Sequence, residues 1–447
     1  MDGETAAQIG QGIETGRIDP VDLTEEYLAA IAGHALGPRI YARLTAERAR
    51  AEAQAARDRA RAGVRRHPLD GVPLSWKDLF DTAGVATESG SALLTGRVPE
   101  RDAVVLARAS RAGLVCLGKT HQTELAFSGL GVNPVTATPP NRHDPALCPG
   151  GSSSGAAASV AFGLAAAAVG SDTGGSVRLP AAWNDLVGLK TTAGLLPLDG
   201  VVPLCPRFDT VGPLTRTVAD GALVFSALAG ERPVDLANVA GGTTGGGSVA
   251  GLRLLLAASD ALPAIDDAPQ AAFEGAVERL SHAGAHIETA DVPEIAEAMA
   301  LAGVLFAPEA YATWRGEIEA MPAAMFAPVR ERFRSGGAVA AVDFIDGWRR
   351  LVALRTAWVS RVAAFDAVLI PSVATLPPPA APLETDHAAF TAANLAALRN
   401  TRVGNLLGLC ALTLPTGVPM CGLMVMAPPL AEARLLRIGA ALERALA

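Results

Sequence analysis

What the chain lacks narrows its chemistry before any motif is considered. Aromatic residues make up only 4% of it. No segment reaches the roughly 20 apolar residues of a membrane span, so no membrane is expected among its partners. Base is not in excess either: 37 Lys and Arg stand against 45 Asp and Glu, a formal charge of −8. With no Lys/Arg block resembling a phosphate-tracking surface, direct nucleic-acid binding is not expected. The five cysteines (Cys116, Cys148, Cys205, Cys410, Cys421) form no CxxC or other metal spacing, and an odd number in a long chain points to reduced thiols in a cytoplasmic protein. The opening MDGETAAQIG has neither the basic nor the apolar region of a signal peptide. The histidines are scattered. Only His282 and His286 fall at i, i+4, and Gly284 stands between them where a helix should end, which suits solvated helix-end residues better than ligands. No metal is expected.

What is present is globular: half the residues are apolar, mostly Ala, Leu and Val. The 447 residues exceed one typical domain, but an α/β core with insertions could hold them all. Residues 1–66 read as helices, with Asp19 before Pro20 as a cap and first-turn pair and a charged, Ala-rich helix from Thr45 to Arg66. From Leu69 the texture changes to short β-rich runs. Val72–Trp76 reads as a buried strand ending at Lys77, Ala103–Arg111 as a helix, and Leu114–Leu117 as the strand after it. This alternation predicts an α/β fold in one large domain, its central sheet mixed, mostly parallel and covered by helices on both faces. Within 1–447 the catalytic core is expected at 67–240, a Gly-rich linker at 241–248 (GGTTGGGS), and a second lobe at 249–447 with a helical insertion at about 294–364. Strands are predicted at Leu252–Leu256, Ala367–Ile370, Ala411–Val418 and Leu423–Met426, and a closing helix at Leu430–Leu446.

Two glycine-flanked serine clusters bracket one apolar segment in PGGSSSGAAASVAFGLAAAAVGSDTGGSVRLP, residues 149–180. Each cluster can expose backbone N–H groups beside a hydroxyl, a combination that suits a nucleophile and an oxyanion hole. Either cluster alone would pass for an ordinary turn. A competing motif, GLVCLGKT at 113–120, satisfies the G-x-x-x-x-G-K-[ST] pattern and would make the chain a P-loop-like ATP-binding protein. The residues between its glycines are themselves an apolar strand, however, and cannot wrap phosphates. His121 and Glu124 lie near the serines, but no Asp or Glu stands in triad order with them. A lysine remains as base. It can activate a serine only when neutral, and Lys77 ends an apolar strand where burial would depress its pKa; a surface lysine paired with Asp78 or Asp81 is the alternative.

Five stretches together resemble the amidase signature family: GVPLSWKDLFDTAGVATESGS at 71–91, LGKTHQTELAFSG at 117–129, PGGSSSGAAASVAFGLAAAAVGSDTGGSVRLPAAW at 149–183, VGLKTTAGLLP at 187–197 and DTVGPLTRTVAD at 209–220. NLLGLCALTLPTGVP at 405–419 is a weaker echo. Carried over position by position, the resemblance implies Lys77 as catalytic lysine, Ser152 as bridging serine after a cis Gly151–Ser152 peptide, and Ser176 as nucleophile. It implies an oxyanion hole from the backbone of Thr173, Gly174, Gly175 and Ser176, and substrate contacts from Ala126, Gly151 and Arg178. For Arg178 and Asp172, bracing the loop around Ser176 is the alternative to substrate contact. Trp183-Asn184-Asp185 departs from the aromatic-Cys-Gly common in the family and bears on subfamily.

The resemblance implies an amidase acting on a small-molecule amide with no cofactor, with a homodimer compatible. Its alternative within the family is the glutaminase subunit of a tRNA-dependent amidotransferase, although no stretch of the C-terminal half matches the glutamine pocket of such a protein. Phe306, Tyr311, Trp314, Phe326, Phe333, Phe344 and Trp348 could form an aryl-binding wall, or simply core.

Overall fold

The computed structural model describes residues 3–231, 234–235, 248–262 and 266–447; all but the last residue of the expected linker at 241–248 lies outside the described residues. One sheet runs through the molecule. Its strands are β1 (Tyr41–Leu44), β2 (Pro73–Lys77), β3 (Val115–Thr120), β4 (Ala167–Ser171), β5 (Val187–Lys190), β6 (Val211–Thr215), β7 (Arg253–Ala258), β8 (His286–Asp291), β9 (Ala367–Pro371), β10 (Cys410–Pro415) and β11 (Gly422–Ala427). Their spatial order is β1-β3-β2-β4-β6-β5-β10-β11-β9-β7-β8. Every residue of β2, β3, β4, β5, β6 and β11 is buried, which is why these strands read as apolar runs rather than alternating ones.

The α/β class and the large mixed sheet flanked by helices stand as expected, but the sheet is not mostly parallel. Parallel pairing is confined to β2 with β3 and β4 and to β7 with β8 and β9; the remaining neighbours are antiparallel. Connection length explains the difference. The helix Val104–Ala112 carries the chain from β2 back to a parallel β3, and Asp267–His282 does the same from β7 to β8. Between β10 and β11 only residues 416–421 are available, enough to reverse the chain but not to cross over.

The parallel half of the sheet positions the site. Because β2 and β4 run side by side in the same direction, their carboxyl ends, Lys77 and Ser171, emerge at one edge, the usual place for ligands in α/β sheets. The helix Ser154–Ala161 packs on this edge so closely that a Cβ on Gly155 would lie 2.6 Å from the carbonyl oxygens of His121 and Ile40. Only glycine fits there.

Asp19 caps its helix through the backbone N–H groups of Val21 and Asp22. The ATP-binding motif dissolves: Gly113, with φ 95°, closes the helix Val104–Ala112, and the residues after it are the buried strand β3. Lys119 donates to Thr87 and pairs with Asp78 at 3.3 Å. No loop remains to hold a phosphate. The helices Pro293–Ala300, Ala302–Ala320, Ala327–Arg334 and Ala341–Arg361 lie between β8 and β9. Residues 293–320 are long and apolar enough to be weighed as a membrane span, but Leu305, Phe306, Ala310, Trp314 and Ile318 are buried in the fold, as in a core helix.

Candidate active site

At the end of β2 the Lys77 ammonium is fully buried and donates to Ser152 Oγ at 2.7 Å and to Ser171 Oγ at 2.9 Å. Burial pushes its pKa down to about 7, against the opposing fields of Asp172 and Asp209. The Gly151–Ser152 peptide is cis. The two serine clusters meet through the backbone: Ser153 N–H donates to the Ser176 carbonyl at 3.2 Å, and Thr123 N–H to the Ser152 carbonyl at 3.2 Å. Ser176 lines a narrow chamber of about 20 Å³ with Ala126, Thr173, Gly174, Leu204 and Phe306. The chamber shares Phe127, Phe306, Arg332 and Arg402 with an outer cavity of about 410 Å³. Ala126 is held there in a left-handed conformation, φ 60°, next to Leu125 at φ 44°, a costly backbone for non-glycine residues.

Between β4 and the helix Arg178–Trp183, Asp172 organises the turn. Its carboxylate accepts from the N–H groups of Gly175 and Val177 at 2.9 and 3.1 Å and from Arg178 Nε and Nη2 at 3.0 and 2.9 Å. Burial alone would raise its pKa, but the charge and hydrogen bonds of Arg178, with Lys190 and Asn405, hold it well below the carboxylate range.

The hydrogen bonds of Gly175, Arg178 and Gly151 bear on the roles expected of them. Gly175 N–H is already spent on Asp172, so the turn leaves the N–H groups of Thr173, Gly174 and Ser176, which donate to none of the described residues. Arg178 takes the bracing alternative in its contacts. It is fully buried, and its remaining donors go to the Thr401 carbonyl, Met424 Sδ and Asn405 Oδ1, so it braces the turn. Gly151 donates its N–H to the Gly129 carbonyl, and a Cβ there would meet Gly131 N and Thr123 Oγ1 at 2.7 Å; it is a packing position without an open donor for substrate.

Several neighbours were given no role by the sequence. Ser171 shares the Lys77 ammonium. Asp209 accepts from the Thr173 hydroxyl at 2.6 Å, and Thr401 Oγ1 donates to the Gly174 carbonyl at 2.8 Å. Of the seven aromatics considered for an aryl wall, Phe306 borders both cavities, whereas Trp314, Phe326 and Phe333 are buried and line neither.

The Asp172–Arg178 pair gives a stability prediction. Asp172→Ala would strand a buried guanidinium and two backbone N–H groups, so the variant should lose about 3–5 kcal/mol, read as a lower urea midpoint. A change under about 1 kcal/mol would show that the turn holds without this pair.

The sequence profile described as Amidase matches residues 22–436. Over 392 residues, covering 84% of this chain and 82% of the relative, the sequence is 38% identical to 2-amino-5-chloromuconic acid deaminase of Comamonas testosteroni. It is 32% identical to the glutamyl-tRNA(Gln) amidotransferase A subunit of Acidothermus cellulolyticus, covering 99% of this chain and 94% of that protein. The native peptide amidase of Stenotrophomonas maltophilia superposes with a TM-score of 0.83 at 26% identity, covering 99% of this chain and 97% of that one. With a family match over nearly its whole length and relatives that share its sheet, the chain belongs to the amidase signature family and is a C–N hydrolase acting on amides.

Proposed function

We propose that the protein hydrolyses the C–N bond of a small carboxamide through a Ser176 acyl-enzyme and a Ser176–Ser152–Lys77 proton relay. The observation that carries this reading is the 2.7 Å contact between buried Lys77 Nζ and Ser152 Oγ, at a lysine whose pKa is lowered to about 7. Neutral Lys77 takes the Ser152 hydroxyl proton while Ser152 takes that of Ser176. The Ser176 oxygen then attacks the amide carbonyl. Charge building on the carbonyl oxygen is met by the N–H groups of Thr173, Gly174 and Ser176, each worth on the order of 3 kcal/mol when correctly aimed. The Ser152 proton goes to the leaving nitrogen, the C–N bond breaks, and ammonia or an amine departs. Water, deprotonated through the same relay, hydrolyses the ester. The relay needs no metal or cofactor. Five free, buried cysteines suit a cytoplasmic enzyme, and a homodimer is compatible with the reading.

A release assay over primary amides, anilides, amino-acid amides, L-glutamine and ureas, with mapping of a fluorophosphonate label, tests it. Label on Ser176 and turnover of at least one simple amide are expected. Ammonia from glutamine alone would favour the amidotransferase reading instead. The pKa of Lys77 adds a pH prediction. Below about 7 the lysine carries its proton and cannot act as base, so kcat/KM for an uncharged amide should rise tenfold per pH unit up to that region and then level. A flat profile from pH 5 to 9 would remove Lys77 from the relay.

A further inference from the structure

Two arginines border the chamber that no carboxylate answers. Arg402 opens the helix Arg402–Leu406 and is only 8% exposed. A Cβ built on Gly174 would lie 3.8 Å from its Cγ, so its stem runs along the turn that carries Ser176. Its Nη2 is buried and makes no hydrogen bond. Arg332, from the helix Ala327–Arg334, donates Nη1 to the Phe127 carbonyl at 3.0 Å, with its guanidinium 4.2 Å from the centre of the Phe127 ring. Both arginines line the chamber with Ser176 and the outer cavity beyond it.

Among the described residues neither forms an ion pair. The acid at the rim, Glu331, is taken by Arg330 and Arg334. Burial lowers the pKa of both guanidiniums, and for Arg332 the positive charge of Arg402 adds to the effect. A ring face partly compensates Arg332, but none of the described residues compensates Arg402. A buried cation with an unsatisfied donor is costly in a stable fold unless an anion completes it. An anion would enter through the cavity, because the described residues supply none. A planar guanidinium fork matches a carboxylate better than any neutral group.

We propose that Arg402, with Arg332 beside it, is the subsite for a carboxylate carried by the substrate, so that the enzyme's amides are short acids with the carboxylate a few bonds from the scissile C–N bond. This rests on the reading of Ser176 as nucleophile, and the tests separate the two. Succinamate, with its acid on the acyl side, and N-propionylglycine, with its acid on the amine side, are each compared with their methyl esters. Wild type should prefer one acid over its ester by about 100-fold in kcat/KM, and Arg402→Met should collapse that preference to within about threefold, chiefly through KM. Arg332→Met should reduce it by a smaller factor. Equal turnover of acids and esters by wild type would overturn the subsite and leave the amidase reading intact.

Succinate binding to the Ser176→Ala protein by calorimetry gives a readout without turnover, and Arg402→Met in that background should abolish it. Succinate binding that depends on Arg402, together with wild type that hydrolyses no amide, would support the subsite and sink the catalytic reading. Binding that survives Arg402→Met, or tighter binding of inorganic phosphate than of succinate, would overturn the carboxylate assignment. If Arg402→Met does not fold, wild type still decides: succinate should inhibit turnover of a neutral amide competitively and dimethyl succinate should not, and equal inhibition by both would overturn the proposal.

Discussion

Ser176→Ala should eliminate measurable amide turnover, a loss of about 10⁶-fold in kcat, and should abolish labelling by a fluorophosphonate. Without the hydroxyl no acyl-enzyme can form, and water would have to be activated and aimed in its place. Its surroundings make the substitution a clean one. Ser176 is 5% exposed and borders the chamber, and its carbonyl, not its hydroxyl, receives the Ser153 N–H. Alanine keeps that backbone bond and opens no core cavity, so the melting temperature should move by no more than about 2 °C, as for a change near 0.5 kcal/mol. Full labelling of the variant at Ser152 or Ser154 would show that another serine is the nucleophile. Turnover within tenfold of wild type would remove covalent catalysis at this position altogether.

The parts of the site that were readable in the sequence are those in which the chain carries its own geometry. Ser152 and Ser176 stand in glycine-flanked turns, and the apolar run that the clusters bracket is the helix Ser154–Ala161 and the strand Ala167–Ser171. Lys77 ends a strand that is buried throughout, as the run before it required. What stayed hidden depends on which backbone segments meet. Thr401 and Asn405 reach Gly174 and Arg178 from more than 200 residues away in sequence, and a short helix with Thr and Asn carries no signal of that contact. Ser171 became a partner of Lys77 only because β2 and β4 are parallel neighbours. Arg178 and Arg402 show the same limit from two sides. Both are single arginines in small-residue contexts, yet one finds partners for its donors in Asp172, Thr401, Met424 and Asn405, while the other keeps a buried nitrogen without one. The orientation of Gly175 N–H was equally unreadable, since it follows from a φ of 134° that glycine permits but does not dictate. The balance of parallel and antiparallel strands depended on strand order, which alternation of helices and strands does not determine.

Lys77→Met should cost at least 10⁴-fold in kcat/KM, because the relay loses the group that receives the Ser152 proton. A second readout separates a base from a brace. In the unfolded chain a lysine titrates near 10.5, whereas burial holds Lys77 near 7. Between those values the unfolded state binds the proton more tightly, so ionisation of Lys77 increasingly penalises folding as pH falls from about 10.5 to about 7, and the penalty is constant below that. Three to four pKa units correspond to roughly 4–5 kcal/mol, less the two hydrogen bonds to Ser152 and Ser171 that methionine cannot make, each worth about 1–2 kcal/mol. Lys77→Met should therefore unfold at a higher denaturant concentration than wild type at pH 6, by the equivalent of up to about 3 kcal/mol, and should lose that advantage by pH 10.5. Activity and stability then move in opposite directions at one position, as expected where a fold has buried a titratable group for its chemistry. A variant that is inactive and less stable than wild type at every pH would mean that Lys77 holds the serines in place as a structural ammonium, and the base would have to be sought elsewhere.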